Sequence, residues 1–312
     1  MKENLEQVKL GRGTSLKKGG KVMKRNRMNV LVTGATGKQG GHVARLLLKR
    51  GHSVHAFTRK ADSPAARELA RLGAKIVTGD LSDRASVERA VEGVDAIFAM
   101  STPFEAGMEA ETKQGVTVAD AAKAKSKYLV YTSVGSANKN TGIPHFDTKW
   151  EVEQHIAKIG AEAAIIAPVY FMENVIAFGK QQLREGLYAT PLRPDRKLAQ
   201  VALDDIASFA VLALENKARF IGKRIDLASD DLTGGQVAEI LSRIMGKPIK
   251  YFQVPIENIR KMSEDMTKMY EWFERVGYSV DTAALRRDYP EVGWHTYEAW
   301  AKEQDWKQIL GS

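Results

Sequence analysis

Short apolar runs alternate along the chain with longer segments whose apolar residues recur at helical spacing. The first run, NVLVT, begins at Asn29 and leads into the glycine-rich segment GATGKQGG, after which Val43, Leu46 and Leu47 fall on one side of a helix. A run of β-branched residues without polar alternation is typical of a parallel strand that is buried on both faces. The pattern therefore predicts a strand, a turn and a helix in that order.

Five more apolar runs follow, separated by segments that include one helix beginning near Pro64 and another from about Glu109 to Ala124. The runs are SVHAFTRK, AKIVTGDLSD, DAIFAM, KYLVYTS and AAIIAP. This alternation predicts an α/β fold with a doubly wound, Rossmann-like parallel sheet that binds its ligand across the carboxyl ends of the strands. We assign residues 28–180 to this nucleotide-binding domain, with later segments completing the sheet, and residues 181–312 to a smaller C-terminal α/β region for a substrate or partner.

The C-terminal pattern is less regular. Residues 186–200, which contain prolines, predict a loop or lid over the cleft. Asp204 and Asp205 precede an apolar stripe and are predicted to cap a helix, with a metal-binding pair as the less favoured alternative. A capping box at 233–236 opens the next helix. A further helix is predicted from about 256 to 276, and its Met-rich face is assigned to the core rather than to a partner groove.

Three glycines in the first turn have distinct predicted roles. Gly34 allows a tight turn, Gly37 allows backbone amides to approach a pyrophosphate, and Gly40 lets the helix lie close to the strand. The helix N-terminus adds partial positive charge at the same place. Because strand and helix flank the glycines as this mechanism requires, the segment predicts a dinucleotide site.

The end of the second strand indicates which dinucleotide is bound. An NAD site commonly has an acidic residue there for the ribose hydroxyls, whereas this chain has Thr58, Arg59 and Lys60. The two cations could be a solvated pair, but the missing acid favours NADP(H), with NADPH preferred over NADH. Asp80 and Leu81, after the third strand, are placed to meet the adenine.

Composition adds mainly exclusions. The chain has 312 residues, of which 44% are hydrophobic and 27% charged, and it has no cysteine. Disulfides, thiolate catalysis and cysteine zinc sites are excluded, and we expect a location in the reducing cytoplasm. No run of eighteen apolar residues occurs, so no membrane span is expected. Histidines are not clustered at metal-ligand spacing, and no metal site is predicted.

Most of the net charge of +9 lies in a short N-terminal segment. Residues 1–27 carry nine Lys or Arg residues against two Glu residues, with little apolar periodicity. We interpret the segment as a disordered basic tail, or as sequence upstream of a start at Met23 or Met28. A nucleic-acid, membrane or targeting arm is the alternative, and nucleic acid is not the expected partner.

Several motifs in order resemble one known family. They are GATGKQGG, FTRK, GDL, ETKQG, HFDTKWEVEQ, APVYFMENV, VALDDIASFA and YEAW. Together they are similar to the NmrA-like branch of atypical short-chain dehydrogenases/reductases over most of residues 28–305. That branch includes fungal nitrogen-metabolite regulators, a human redox-sensing NADPH-binding protein and bacterial quinone reductases.

The resemblance implies a set of NADP(H) contacts in this chain. They are Gly34, Ala35, Thr36, Gly37, Lys38, Gln39, Gly40, Arg59, Lys60, Asp80, Leu81, Met100, Ser101, Thr102, Lys113, Lys149, Tyr170, Phe171 and Asn174. Tyr170 and Phe171 of this set, with the adjacent Met172, are either core residues or the lining of an apolar pocket.

The chain departs from ordinary short-chain reductases at the catalytic tyrosine. Those enzymes use a Ser, a Tyr and a Lys four residues after the Tyr, and the corresponding positions here are Ser133, His145 and Lys149. On a helix His145 and Lys149 share a face, so both could reach the cofactor. An imidazole could donate a proton or a hydrogen bond, but His145 could equally be a surface residue without a role. Lys149 is predicted to bind the ribose.

Two functions of different class follow from the resemblance. The first is NADPH-dependent reduction of a quinone or a similar electron-poor small molecule. The second is non-catalytic sensing of NADP(H), in which the cofactor changes association with a regulated protein partner. We favour the reductase, because the apolar segment VYFMEN suggests a small-molecule site; homodimer formation stays open.

Overall fold

The computed structural model describes residues 27–101 and 107–311. The strands in these residues are β1 (Asn29–Val32), β2 (Ser53–Thr58), β3 (Lys75–Thr78), β4 (Ala96–Ala99), β5 (Tyr128–Thr132), β6 (Ala163–Pro168), β7 (Tyr170–Phe171), β8 (Leu187–Thr190), β9 (Lys197–Val201), β10 (Arg224–Leu227), β11 (Asp230–Thr233) and β12 (Lys250–Gln253). The α-helices are α1 (Lys38–Lys49), α2 (Pro64–Arg71), α3 (Arg84–Ala90), α4 (Met108–Ala124), α5 (Pro144–Lys158), α6 (Asn174–Arg184), α7 (Leu203–Glu215), α8 (Lys217–Phe220), α9 (Gly234–Met245), α10 (Ile256–Arg260), α11 (Glu264–Arg275), α12 (Thr282–Asp288), α13 (Tyr297–Lys302) and α14 (Trp306–Leu310).

Seven strands form one central sheet in the order β10-β6-β5-β4-β1-β2-β3. Every neighbouring pair in it is parallel. The order of strands reverses at the junction of β1 and β4, where a doubly wound sheet opens a crevice at its carboxyl edge. The predicted doubly wound, Rossmann-like fold is confirmed.

Helices cover both faces of the central sheet, as its unbroken apolar runs require. On one face Val43 and Leu47 of α1 share a buried cluster with Phe209 of α7. On the other face Val118 of α4 and Val152 of α5 pack against the same strands. Burial on both faces removes the need for polar positions within the strands.

The C-terminal part of the chain both completes the central sheet and builds a second core. Strand β10 pairs with β6, with Ile225 opposite Ile166, and the other strands form the small sheets β11-β9-β7 and β12-β8. Val237 and Leu241 of α9 pack with Trp300 of α13 in a separate cluster. The C-terminal region is therefore joined to the nucleotide-binding domain through a shared sheet.

Two predictions for the C-terminal region are wrong. Residues 186–200 contain β8 and β9 instead of a lid. The helix predicted for 256–276 is two helices, because Ser263 caps α11 by accepting a hydrogen bond from the Met266 amide at 3.2 Å. A serine followed by two acidic residues is a helix-start signal that the apolar spacing had masked.

The predicted helix starts gave mixed results. Thr233 and Gln236 form the predicted capping box of α9. The prediction that Asp204 and Asp205 cap α7 is wrong, since Ala202 is the N-cap residue and the two aspartates lie in the first turn. Their carboxylates pair with histidines of other elements.

No helix in residues 27–101 or 107–311 is long and apolar enough to cross a membrane. Residues 1–26 lie outside the described residues, so the predicted basic tail stays a prediction.

Candidate functional site

The carboxyl edge of the central sheet carries a cleft of about 1460 Å³. One end, which we call the glycine end, is formed by the turn after β1, the ends of β2 and β3 and the start of α2. The other, the aromatic end, is formed by Phe146, Tyr170, Met266, Tyr270 and Tyr278. Lys149 and His145 also line the cleft. A single space of this size accommodates an extended dinucleotide together with a small second molecule.

The glycine turn has the backbone that its sequence predicts. Gly34 adopts a left-handed conformation, with φ of +60°, and its carbonyl accepts a hydrogen bond from the Gly37 amide at 2.9 Å. A Cβ on Gly40 would collide with the backbone of Gly34, so only glycine lets α1 start this close to the strand. The N-cap residue Gly37 offers no side-chain cap, which leaves the first amides of α1 available to an anion.

A basic corner lies beside this turn. Arg59 and Lys60 are exposed at the end of β2, and both line the cleft. Ser63 caps α2 by accepting a hydrogen bond from the Ala66 amide at 3.2 Å, and the first turn of that helix also lines the cleft. Two cations and a helix N-terminus therefore converge at this corner, an arrangement that suits a phosphate group.

The third strand leads into a flat hydrophobic shelf. The Asp80 amide donates a hydrogen bond to the Ser86 hydroxyl oxygen at 3.1 Å, and the Asp80 carboxylate accepts one from the Ser82 amide at 2.8 Å. Phe57 lies so close to Gly79 that a Cβ there would be 2.5 Å from its ring. Asp80 and Leu81 line the cleft with Phe57, as expected for an adenine site.

The end of β4 approaches the glycine turn from the other side. Thr33 donates its hydroxyl to the Met100 carbonyl at 2.9 Å and accepts the Met100 amide at 2.8 Å. This tie places the Met100 side chain over Gly34. Met100 and Ser101 line the cleft as predicted, and Thr102 lies outside the described residues.

Lys149 is held in a buried polar cluster and is not a solvated lysine. Its ammonium group lies 2.9 Å from a carboxylate oxygen of Glu111 and donates to the Ser101 carbonyl at 2.6 Å. Burial alone would lower the pKa of Lys149, but Tyr131 and Glu111 outweigh it and the pKa is raised. Thr148 donates to the other Glu111 oxygen at 2.5 Å. Lys149 therefore enters the cleft as a fixed cation.

Glu111 was missed by the sequence reasoning. Its side chain is fully buried and lines the cleft through the cluster with Lys149. The sequence does contain a signal for this residue, because the positions four, seven and eight residues after Glu111 are small or apolar. They indicate a buried helix face, and an acidic residue on such a face needs a cation beside it.

Ser133 does not have the geometry of a carbonyl-orienting serine. Although it lines the cleft, its hydroxyl donates to Glu153, and Glu153 pairs with Arg224 at 2.7 Å. A serine hydroxyl has one hydrogen, and Ser133 donates it to Glu153, so it is not available to a substrate oxygen. This hydrogen bond does not favour a catalytic role for Ser133, which stays a prediction.

His145 is oriented by an acidic residue from the opposite wall. Its Nδ1 lies 2.7 Å from a carboxylate oxygen of Asp265, and its backbone amide donates to the same side chain at 3.1 Å. Burial would raise the pKa of Asp265, but the hydrogen bonds and charge of His145 outweigh it and hold that pKa below its usual range. His145 is therefore a fixed part of the cleft wall, and its role in proton transfer stays a prediction.

The remaining predicted contacts divide into those that line the cleft and those that support it. Lining residues are Gly34, Thr36, Gly37, Lys38, Gln39, Tyr170, Phe171 and Asn174. Ala35 and Gly40 lie beneath them and shape the turn backbone. Lys113 is exposed at a separate small hollow, and its neighbour Gln114 faces the cleft in its place. Met172 is a core residue of the C-terminal cluster.

The aromatic end was largely missed. Residues Ile259, Met262, Met266 and Met269, assigned to the core from their spacing, line the cleft, together with Tyr270 and Tyr278. Met269 is also buried in a cluster with Phe273, whereas Met262 is 83% exposed. The break at Ser263 turns the methionine stripe across the cleft, and only recognition of that break would have revealed the wall.

Comparison with known proteins identifies the family. A model of the NmrA-like family matches residues 26–301. The chain belongs to the NmrA-like family. This confirms the resemblance drawn from the sequence motifs.

Curated relatives have several described roles. An NmrA-like family domain-containing protein of Dictyostelium discoideum is 31% identical over 80% of this chain and 88% of its own length. An NAD(P)H azoreductase of Xenophilus azovorans is 28% identical over 76% and 81%. Quinone oxidoreductase 2 of Escherichia coli is 28% identical over 71% and 76%.

Solved structures agree on the fold. NmrA, a negative transcriptional regulator in complex with NADP, has a TM-score of 0.75 at 21% identity, over 90% of this chain and 99% of that one. Citrobacter sp. triphenylmethane reductase with NADP(H) has a TM-score of 0.76 at 20% identity, over 88% and 99%. NmrA has also been solved with NAD. The NmrA-like fold thus serves both regulators and reductases.

Proposed function

We propose that this protein is an NADPH-dependent reductase of a quinone or a similar planar, electron-poor small molecule. The observation that carries the proposal is one cleft in which a phosphate-binding glycine end continues into an aromatic and methionine-lined end past Lys149. The names of the azoreductase and quinone oxidoreductase relatives support the reaction class.

The glycine end would hold the cofactor. The uncapped start of α1 suits the pyrophosphate, and Arg59 and Lys60 suit the 2′-phosphate of NADPH. NADPH supplies the hydride for such a reduction. Phe57 and Leu81 offer the apolar shelf for the adenine.

Lys149 would act by position and charge. Glu111 and the Ser101 carbonyl fix its ammonium group at the cleft wall, where its raised pKa keeps it charged. A fixed cation orients ribose hydroxyls and favours the electron-rich product of reduction. These roles do not require the tyrosine that ordinary short-chain reductases have at the position of His145.

The second function is regulation by NADP(H) binding without turnover. It is favoured by the exposed apolar side chains at the cleft rim, where Phe178 is 73% exposed and Met262 is 83% exposed. A partner protein that covers this rim would respond to cofactor occupancy. In either function we place the protein in the cytoplasm, in keeping with its lack of cysteine.

Steady-state oxidation of NADPH by the purified protein, with a panel of benzoquinones, naphthoquinones and azo dyes, separates the two functions. The reductase proposal expects turnover that is lost in Lys149→Met and retained in Lys158→Met, a change at the other end of the same helix. Tight NADPH binding without oxidation by any acceptor would favour the regulator.

A further inference from the structure

Two tyrosine hydroxyls face each other at the aromatic end of the cleft. Tyr170 lies in β7 and Tyr270 in α11, and their hydroxyl oxygens are 3.3 Å apart. Phe273 contacts both rings edge to face, with centroids 6.3 Å and 5.9 Å away. The pair is therefore held in place by packing before any ligand arrives.

One of the two hydroxyl hydrogens in this pair is not used by the bond between the tyrosines. Each hydroxyl carries one hydrogen, and the bond between the two oxygens uses only one of them. The side chain of Asn174 also hydrogen-bonds to Tyr170 and opposes the rise of the Tyr170 pKa that burial causes. An asparagine amide group can act as the donor in such a bond and then leaves the tyrosine hydrogen unused. Whichever tyrosine donates within the pair, the other keeps a hydrogen that can be donated to a third group.

The surroundings determine which third group fits. Phe146, Met266 and Tyr278 line the same end of the cleft, so a flat apolar ring can lie against them. Burial raises the pKa of Tyr270 well above its usual value, so the pair stays neutral and remains a donor. A donor in an apolar recess is complementary to a carbonyl oxygen on a planar conjugated ring.

We propose that the Tyr170–Tyr270 pair donates a hydrogen bond to the carbonyl oxygen of the acceptor, so that this site selects quinone-type carbonyl compounds over acceptors without oxygen. The inference rests on the proposed reductase function and names its acceptor class. It also gives the missing catalytic tyrosine a counterpart on the opposite wall of the cleft.

The chemistry balances without consuming either tyrosine. Hydride transfer from NADPH to the quinone moves two electrons and one proton and leaves NADP⁺ and a quinol anion. The pair stabilises the negative oxygen by a hydrogen bond, and water supplies the second proton of the quinol. Removal of one preorganised oxyanion donor typically costs about 10²–10³ in rate, and we expect about 10- to 100-fold here because a quinol anion spreads its charge over the ring and depends less on one donor.

The test compares two acceptors in the full-length protein. Tyr270→Phe and Tyr170→Phe are measured with 1,4-naphthoquinone and with a cationic triphenylmethane dye that takes hydride at carbon and has no oxygen. We expect kcat/KM for naphthoquinone to fall about 10- to 100-fold in both variants, while any dye turnover changes less than about twofold and Tm stays near the wild-type value. NADPH affinity is compared in Tyr270→Phe, because Tyr270 is not among the predicted cofactor contacts, and it should stay within about twofold of the wild type. Tyr289→Phe, at a partly buried tyrosine that packs against Phe209 of α7 and does not line the cleft, is the matched control.

Distinct outcomes overturn the inference and the proposed function. Equal losses with quinone and dye, or no loss with quinone, would overturn the role of the pair while leaving the reductase intact. If none of the acceptors supports NADPH oxidation by the wild-type protein, the reductase proposal fails. The role of the tyrosine pair is then tested by titrating 2-hydroxy-1,4-naphthoquinone into the NADP⁺ complex. A Kd at least fivefold lower than that of Tyr170→Phe/Tyr270→Phe supports the site; equal affinity or no binding by the wild type rejects it.

Discussion

The two ends of the cleft are built in different ways. The glycine end is made by backbone at the ends of adjacent parallel strands, and its main determinants, from Gly34 to Gln39, are contiguous in the sequence. The aromatic end is made by side chains from segments far apart, such as Tyr170 and Tyr270, which lie 100 residues apart. Lys149 lies in the wall that both ends share. Local sequence therefore dictates cofactor binding, whereas tertiary packing dictates what the cofactor would act on.

The largest effect, a loss of stability, is expected when Lys149 in this shared wall is replaced. Lys149→Met leaves the fully buried Glu111 carboxylate without its cation, and breaking a buried ion pair costs about 3–5 kcal/mol. Urea unfolding should show a loss of that size. The double variant Lys149→Met/Glu111→Gln should recover most of the stability but not NADPH affinity. A double variant as unstable as the single one would contradict the pairing.

The glycine end should fail when its backbone is blocked. A side chain at Gly37 would lie 3.2 Å from the Gly34 carbonyl at the free start of α1, so Gly37→Val should weaken NADPH binding by about 100-fold or more while circular dichroism stays native. Gly235→Val is a fitting control, because a Cβ there meets only a threonine oxygen at 3.9 Å. Normal NADPH affinity in a folded Gly37→Val protein would place the pyrophosphate elsewhere.

This contrast explains what the sequence could predict. The strand, turn and helix around Gly34 form a local pattern that is typical of a dinucleotide site, and the structure has that geometry. The two cations after β2 were visible for the same reason. The commitment of Ser133 to Glu153 was not visible, since it depends on Arg224 in β10, which joins the sheet from 91 residues later.

The aromatic end was hidden for a related reason. Apolar spacing alone cannot distinguish a core face from a cleft wall, because both need methionines and aromatic residues at helical intervals. Only the cap at Ser263 and the position of α11 opposite His145 make the stripe a wall. Both wrong predictions, the single helix over 256–276 and the assignment of its methionines to the core, therefore come from overlooking the cap at Ser263.

Cofactor selectivity is the next largest effect. Arg59→Ala should weaken NADPH binding by about 1.5–3 kcal/mol, the usual value of a hydrogen bond to a charged group, and should leave NADH binding unchanged. Calorimetric titration with both cofactors measures this. Arg67→Ala, an exposed arginine of α2 outside the cleft lining, is the control. Equal wild-type affinities for NADPH and NADH would reject the basic corner as a phosphate site.

A substitution at the aromatic end should weaken binding of the acceptor and leave binding of the cofactor unchanged. Met266→Ala removes a partly buried side chain from the wall and should raise the KM for a quinone about tenfold, near 1.5 kcal/mol, with unchanged NADPH affinity. Met245→Ala, in the C-terminal core, is a stability control. If Met266→Ala altered NADPH affinity and acceptor KM together, the two ends would not be separable.

The smallest effect concerns the C-terminal region, which supports the aromatic end. His295 pairs with the fully buried Asp205 at 2.5 Å, and this hydrogen bond, opposed by burial, raises the pKa of His295 to about 9. A histidine with a raised pKa in the folded state adds stability that is fully present below pH 6.5 and is lost as the pH rises through 9. Because the imidazole is partly exposed, we discount the gain in stability to about 1 kcal/mol.

Urea unfolding between pH 6 and 9.5 should show this decline in the wild type and a flatter profile in His295→Gln. Gln304→Ala, which removes a non-titrating side chain after α13, should keep the wild-type slope. An unchanged slope in His295→Gln would assign the pH dependence to groups outside this C-terminal support.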